Sequence, residues 1–166
     1  MITYIFQDWK SNQQNSRGRF LMVLFRIASY YSRGGIVSLL LFPYIIFYKI
    51  LVNFILGTEI PHDLKAGKGL RVFHGQALVV HSNTVLGSDC TLRQSTTIGN
   101  NGSSDSCPVI GNHVDIGANV CIIGDIRIGD HVKIGAGSVV VKSIPSYSVA
   151  VGNPARIIRQ TEPELA

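Results

Sequence analysis

Glu59 and His74 stand fifteen residues apart, and they are the pair in this 166-residue chain best suited to acid–base chemistry. A carboxylate that accepts a hydrogen bond from one imidazole nitrogen fixes the tautomer and leaves the other nitrogen free as a base. The same two residues also read as a surface glutamate and an unrelated, structural histidine. His74 lies in the run RVFHGQALVVHSN, whose second histidine, His81, is read as structural. Cys107 offers a thiol for a covalent intermediate. The sequence fixes no base beside it, however, and a plain loop cysteine is the simpler account. The three cysteines, Cys90, Cys107 and Cys121, form no CxxC spacing. Neither a disulfide framework nor a zinc knuckle is indicated, and reduced thiols of a cytoplasmic protein are expected.

What must position these residues is a six-residue repeat. From residue 110 the chain reads IGNHVD, IGANVC, IIGDIR, IGDHVK, IGAGSV and VVKSIP. The first positions are Ile110, Ile116, Ile122, Ile128, Ile134 and Val140; the fifth are Val114, Val120, Ile126, Val132, Ser138 and Ile144. Each unit makes one short strand and one turn, with the first and fifth side chains inward. Glycine at the second position is expected to permit a turn that a Cβ would hinder. Three units, about 18 residues, close one triangular coil, and coils stack over a continuous core.

Upstream, Ile60, Ala66, Val72 and Leu78 are six apart, and so are Leu86, Leu92 and Ile98. The eight-residue step from Leu78 to Leu86 predicts an extra pair near residues 83–85. The polar stretch NNGSSDSCP, between Ile98 and Ile110, cannot supply a core strand and reads as a loop leaving the coil. The fold class is therefore mainly β, a parallel β-helix of about five coils over residues 59–151, preceded by an α-helical segment. On such a coil Glu59 and His74 miss direct stacking by about 10 Å and can meet across a corner.

Residues 1–58 differ in kind. They hold Lys10, Arg17, Arg19, Arg26, Arg33 and Lys49 against Asp8 alone, and so carry the whole net charge of +5. The neutral remainder argues against nucleic-acid binding. Apolar residues at helical intervals predict a helix over RGRFLMVLFRIASYYS, ended by Gly34–Gly35, and a second helical segment, broken or kinked near Pro43, that reaches Gly57. The run IVSLLLFPYIIFYKILVNFIL, residues 36–56, has spanning length, but Pro43, Lys49 and Asn53 interrupt it. Burial at a subunit interface is the first reading, an interfacial membrane helix the second and a true span the third. A signal peptide's basic start and cleavage site are absent from these residues. The organisation predicted is a helical segment over 1–58, a coil domain over 59–155 and a tail over 156–166 that covers the open end.

The stretch TEIPHDLKAGKGLRVFHG, followed by STTIG, CPVIG, IGAGSVVVKSIP and VGNPARII, resembles the hexapeptide-repeat O-acetyltransferases, the family of serine acetyltransferase and of the capsule and colanic acid acetyltransferases. The resemblance is strong over residues 59–158. It implies a left-handed β-helix, a homotrimer that can pair into a dimer of trimers, and acetyl-CoA as co-substrate with no metal. It implies His74 as the base that deprotonates an acceptor hydroxyl for direct attack on the thioester, with Glu59 orienting it where the family more often has Asp. By position, Gly99, Ala118 and Ala136 match the small residues lining the cofactor groove between subunits, and Lys133 matches a basic residue near the cofactor. Arg156 is placed to meet CoA phosphates.

The departures bear on the acceptor. Serine acetyltransferases carry a DH pair and an RHP segment that hold serine; here those positions read Phe73–His74 and Ser106–Cys107–Pro108. The loss of an acid and an arginine suits a sugar acceptor better than an amino acid. Phe73 and Cys107 are therefore candidate substrate contacts, as is Asp8, which matches an acceptor-binding Asp of the family's helical head. A γ-type carbonic anhydrase is the other trimeric coil to weigh. His113 and His131, 18 residues apart, should stack, but that family's HxxxxH spacing is missing. The expectation is a cytoplasmic O-acetyltransferase of capsular or exopolysaccharide units, docked at the inner face of the membrane where lipid-linked acceptors are presented; the competing reading is serine O-acetyltransferase.

Overall fold

The computed structural model describes residues 1–32, 34 and 36–161. Gly35 of the expected helix stop and residues 162–166 of the tail lie outside the described residues. Helices α1 (Ile2–Ile5), α2 (Ser16–Tyr31) and α3 (Ile36–Lys49) come first, and a π-helix, Ile50–Ile55, continues α3. Asn15 caps α2, its side chain accepting from the Gly18 N–H at 2.9 Å. Leu21, Met22, Leu24, Phe25 and Ala28 form the buried face of α2. Tyrosine hydroxyls fix α3: Tyr44 donates to the Leu24 carbonyl at 3.0 Å and Tyr48 to the Ile60 carbonyl at 2.7 Å. Burial raises both phenols, Tyr44 to about 12. Pro43 does not break the helix; it lies inside α3, and the departure from α geometry comes at Ile50.

The remaining described residues form a solenoid of five coils whose strands stack in parallel into three sheets. The first sheet stacks β1 (Thr58–Glu59), β4 (Leu78–Val80), β7 (Thr97–Gly99), β10 (Cys121–Ile123) and β13 (Val139–Val140). The second stacks β2 (Lys65–Ala66), β5 (Val85–Leu86), β8 (Val109–Ile110) and β11 (Arg127–Ile128). The third stacks β3 (Arg71–Phe73), β6 (Thr91–Arg93), β9 (Asp115–Ile116), β12 (Lys133–Ile134) and β14 (Ser148–Val151), with β15 (Arg156–Gln160) antiparallel on its last edge. The tail thus extends one sheet past the final coil. Buried residues at both inward positions, such as Ile116 with Val114 and Ile122 with Val120, make one core along the axis.

Two expectations about the coil are corrected. The extra pair of residues lies at 73–77, not at 83–85. Register shows it: Glu59 faces Val79, Lys65 faces Val85 and Arg71 faces Thr91, each 20 apart, whereas Val79 faces Thr97, 18 apart. The main inward series therefore jumps from Val72 to Val80. Leu78 misleads because it is apolar and six after Val72, yet it fills the second inward position of its strand. His74, Gly75 and Ala77 all take positive φ, at 67°, 76° and 54°, to accommodate the insertion.

The second correction concerns the glycines. Positive φ falls two residues later, at His113, Asn119, His131 and Gly137, while Gly111, Gly117, Gly129 and Gly135 are not left-handed. Their role is close approach between coils. A Cβ on Gly117 would stand 2.5 Å from the Ala136 nitrogen and 2.8 Å from its Cα. Backbone cannot yield as a side chain tip can, so Gly117→Ala is expected to destabilise by about 1–3 kcal/mol. Thermal unfolding checks it, and an unchanged midpoint refutes the close-approach account.

Candidate active site

His74 occupies the corner between β3 and β4, which among the described residues is the corner of that edge lengthened by two residues. The Thr58 hydroxyl donates to the Gly75 carbonyl at 2.7 Å and the Gly75 N–H to the Phe73 carbonyl at 2.9 Å. The Gln76 amide, oriented with its nitrogen toward His74, donates to the His74 carbonyl at 2.8 Å. The backbone is therefore pinned, while neither ring nitrogen of His74 has a hydrogen-bond partner among the described residues. The residue is exposed and lines a cavity between α2 and the first coil, with Phe20, Leu56, Thr58 and Gln76 on its walls. His81, by contrast, is committed: its Nδ1 accepts from the Asn83 N–H at 3.1 Å.

Glu59 sits one residue beyond Thr58, so the link Glu59–Thr58···Gly75–His74 joins the two through a single hydrogen bond. Strand alternation turns Thr58 inward and Glu59 outward. The carboxylate lines a separate cleft with Lys49, His62 and Asp63, and no hydrogen bond or ion pair connects it to His74 among the described residues. Phe73, His74, Arg93 and Gln94 line a further cleft. Arg93 stacks over the Phe73 ring at 5.8 Å and is ion-paired with Asp115. The Gln94 Oε1 is buried without a hydrogen-bond partner among the described residues.

Backbone hydrogen bonds carry this edge down the solenoid. Ser95 N–H donates to Gln76 at 2.8 Å, Asn119 N–H to Gln94 at 3.0 Å and Gly137 N–H to Ala118 at 2.9 Å. His74, Gln94, Ala118 and Ala136 thus share one edge, with small side chains on the two lower coils. Lys133 is exposed on the face leading to that edge, between Asp115 and Val149 in register, and Arg156 is exposed opposite Val151. Gly99 lies on the next edge, where the Gly124 N–H reaches its carbonyl at 3.0 Å and an added Cβ would meet only the His81 Cβ, at 3.6 Å.

Asp8 is placed elsewhere, and its position does not fit an acceptor contact. It is 1% exposed, and its Oδ2 accepts from Arg26 Nε at 2.6 Å while Oδ1 accepts from the Leu70 N–H at 3.0 Å. Both oxygens serve the junction between head and coil, a commitment invisible without knowing which residues the helices meet. Cys107 is buried at the end of the excursion from the coil, and burial pushes its thiol up, away from the thiolate a nucleophile requires. The rings of His113 and His131 stack at 4.7 Å, as their spacing predicts, and Tyr147 extends the stack at 4.9 Å. Their faces are turned to one another rather than their lone pairs toward a shared point. Among the described residues, no three His, Cys, Asp or Glu side chains are grouped as a metal site requires.

Sequence reasoning missed Gln76, Gln94 and Arg17 at the His74 corner. Gln76 and Gln94 are neighbours only through the displaced insertion, and Arg17 arrives from the helical head.

Residues 107–142 match the family described as bacterial transferase hexapeptide (six repeats). The chain is 38% identical over 158 residues, 92% of its own length and 98% of the relative's, to WcaB of Escherichia coli K12, a protein named for colanic acid biosynthesis and acetyl transfer. It is 35% identical over 120 residues to serine acetyltransferase 2 of Arabidopsis thaliana, covering 69% of this chain and 37% of that one. Among solved structures, serine acetyltransferase from Brucella abortus strain S19, in complex with coenzyme A, superposes with a TM-score of 0.80 at 28% identity, covering 97% of this chain and 68% of that one. Coil, corner and likeness along the whole chain agree: it belongs to the hexapeptide-repeat acetyltransferases, alongside WcaB and the serine acetyltransferases.

Proposed function

We propose that this acetyltransferase moves the acetyl group of acetyl-CoA to a sugar hydroxyl in capsular or exopolysaccharide biosynthesis. The observation that carries the reading is the His74 corner, with Phe73 and Gln94 lining the same cleft and the small Ala118 and Ala136 on the same edge below. An aromatic ring and a neutral amide suit the faces and hydroxyls of a saccharide. Acetyl-CoA supplies the acetyl group as a thioester. His74 accepts the proton of the acceptor hydroxyl as its oxygen attacks the thioester carbonyl and passes it to the CoA sulfur as the C–S bond breaks; Glu59 would orient the imidazole once its carboxylate leaves the cleft it lines. Lys133 and Arg156 offer charge for the nucleotide end of the cofactor. In a homotrimer the edge bearing Ala118 and Ala136 faces a neighbour's edge bearing Gly99, which closes the groove and makes the site depend on assembly.

Thiol release from acetyl-CoA, measured against serine, nucleotide sugars and oligosaccharide repeats, tests the acceptor. Turnover with the saccharides and not with serine is expected. Efficient turnover with serine would instead make the chain a serine O-acetyltransferase.

The head supports work at the cytoplasmic face of a membrane. Leu39, Leu40, Phe54 and Ile55 are 69–82% exposed along α3 and the π-helix, and every charged residue of the head except Asp8 is basic. Among the described residues no helix is long and apolar enough to cross a membrane. Salt-sensitive sedimentation with anionic vesicles is expected. A chain that stays in the supernatant at low salt would assign this face to a contact between subunits.

A further inference from the structure

Arg17 is the feature of the His74 cavity that neither the repeat nor the acceptor reading accounts for. The second residue of α2, it lines the cavity with Phe20, Leu56, Thr58, His74 and Gln76. A guanidinium only donates hydrogen bonds, so the Gln76 amide must turn its oxygen toward it. That oxygen then accepts from Arg17 Nη1 at 2.7 Å, while the amide nitrogen donates to the His74 carbonyl at 2.8 Å. One side chain thereby ties the cation to the backbone of the inserted corner. The ion pairs among the described residues are Arg26 with Asp8 and Arg93 with Asp115, so no carboxylate neutralises Arg17.

We propose that Arg17, held by Gln76, is a carboxylate-binding subsite, so that the hydroxyl presented to His74 belongs to an acidic acceptor. In the saccharide reading that acceptor contains a uronic acid. The inference rests on His74 being the base. The planar guanidinium can meet a carboxylate through two parallel N–H donors, a geometry lysine cannot reproduce. Arg17 is exposed, so its replacement leaves the core intact.

Calorimetric titration of the full chain with glucuronate, glucose and serine tests the subsite. Glucuronate is expected to bind about tenfold to a hundredfold more tightly than glucose. Arg17→Gln should erase most of that difference and Arg17→Lys should retain part of it. A glucuronate preference that survives in Arg17→Gln, or the lack of Arg17-dependent binding by either carboxylate ligand, overturns the subsite and leaves the sugar reading standing. Serine binding that depends on Arg17, with no glucuronate binding, keeps the carboxylate subsite and overturns the sugar reading.

Discussion

Replacing His74 is expected to slow acetyl transfer by about 10²–10⁴-fold, the range for losing a general base. Asparagine is the informative substitute. Residue 74 has φ of 67°, a region in which alanine is strained and asparagine is tolerated. His74→Asn should therefore keep the corner, and its thermal midpoint, while removing the base. The imidazole makes no hydrogen bond among the described residues, so a stability loss would not explain a slow variant. Near wild-type turnover by His74→Asn would overturn the mechanism. Glu59→Gln separates the partner's role from its own: a positioning carboxylate lowers kcat with KM little changed. If Glu59 serves only its cleft with Lys49 and His62, neither constant moves.

The largest stability effect is expected at the junction between helices and coil. Arg26 is 1% exposed, like Asp8, and besides that carboxylate it donates to the carbonyls of Ala66 and Gly67. Removing one member leaves a buried charge unpaired, which costs about 3–5 kcal/mol. In a chain of this size Arg26→Met should lower the thermal midpoint on the order of 10 °C. Replacing both residues together with apolar side chains should recover part of the loss, because the stranded charge is gone. Asp8→Asn distinguishes this role from acceptor binding. It should unfold more easily while the folded fraction keeps its KM; a raised KM with an unchanged midpoint would return Asp8 to the site.

Much of the fold was legible because a six-residue period is redundant. Ile110 to Val140 repeat often enough that no single residue decides the phase, and the stack of His113 on His131 follows from the same count. Legibility failed where one residue had to decide. Leu78 satisfies two phases, and the pairing of β4 with β7, where Val80 faces Ile98, shows that Val80 carries the main inward series. For the glycines, position alone does not distinguish a left-handed residue from one pressed by the coil above. At the site, His74 and Glu59 were marked by type and spacing. Arg17, Gln76 and Gln94 were not, since their proximity depends on where α2 lands and where the insertion falls. The head's helical pattern predicts helices but not their partners, so the pairing of Asp8 with Arg26 is not legible in it.

The lengthened corner behaves like a dislocation in a crystal: two surplus residues are absorbed at one point, and the lattice below returns to register. It fixes where along the axis the reactive group stands. The regular coils beneath serve as a ruler, their number setting how much of a long ligand one edge can span. Position and length are therefore separately adjustable: a coil gained or lost at the far end would change the reach of the edge and leave the defect untouched.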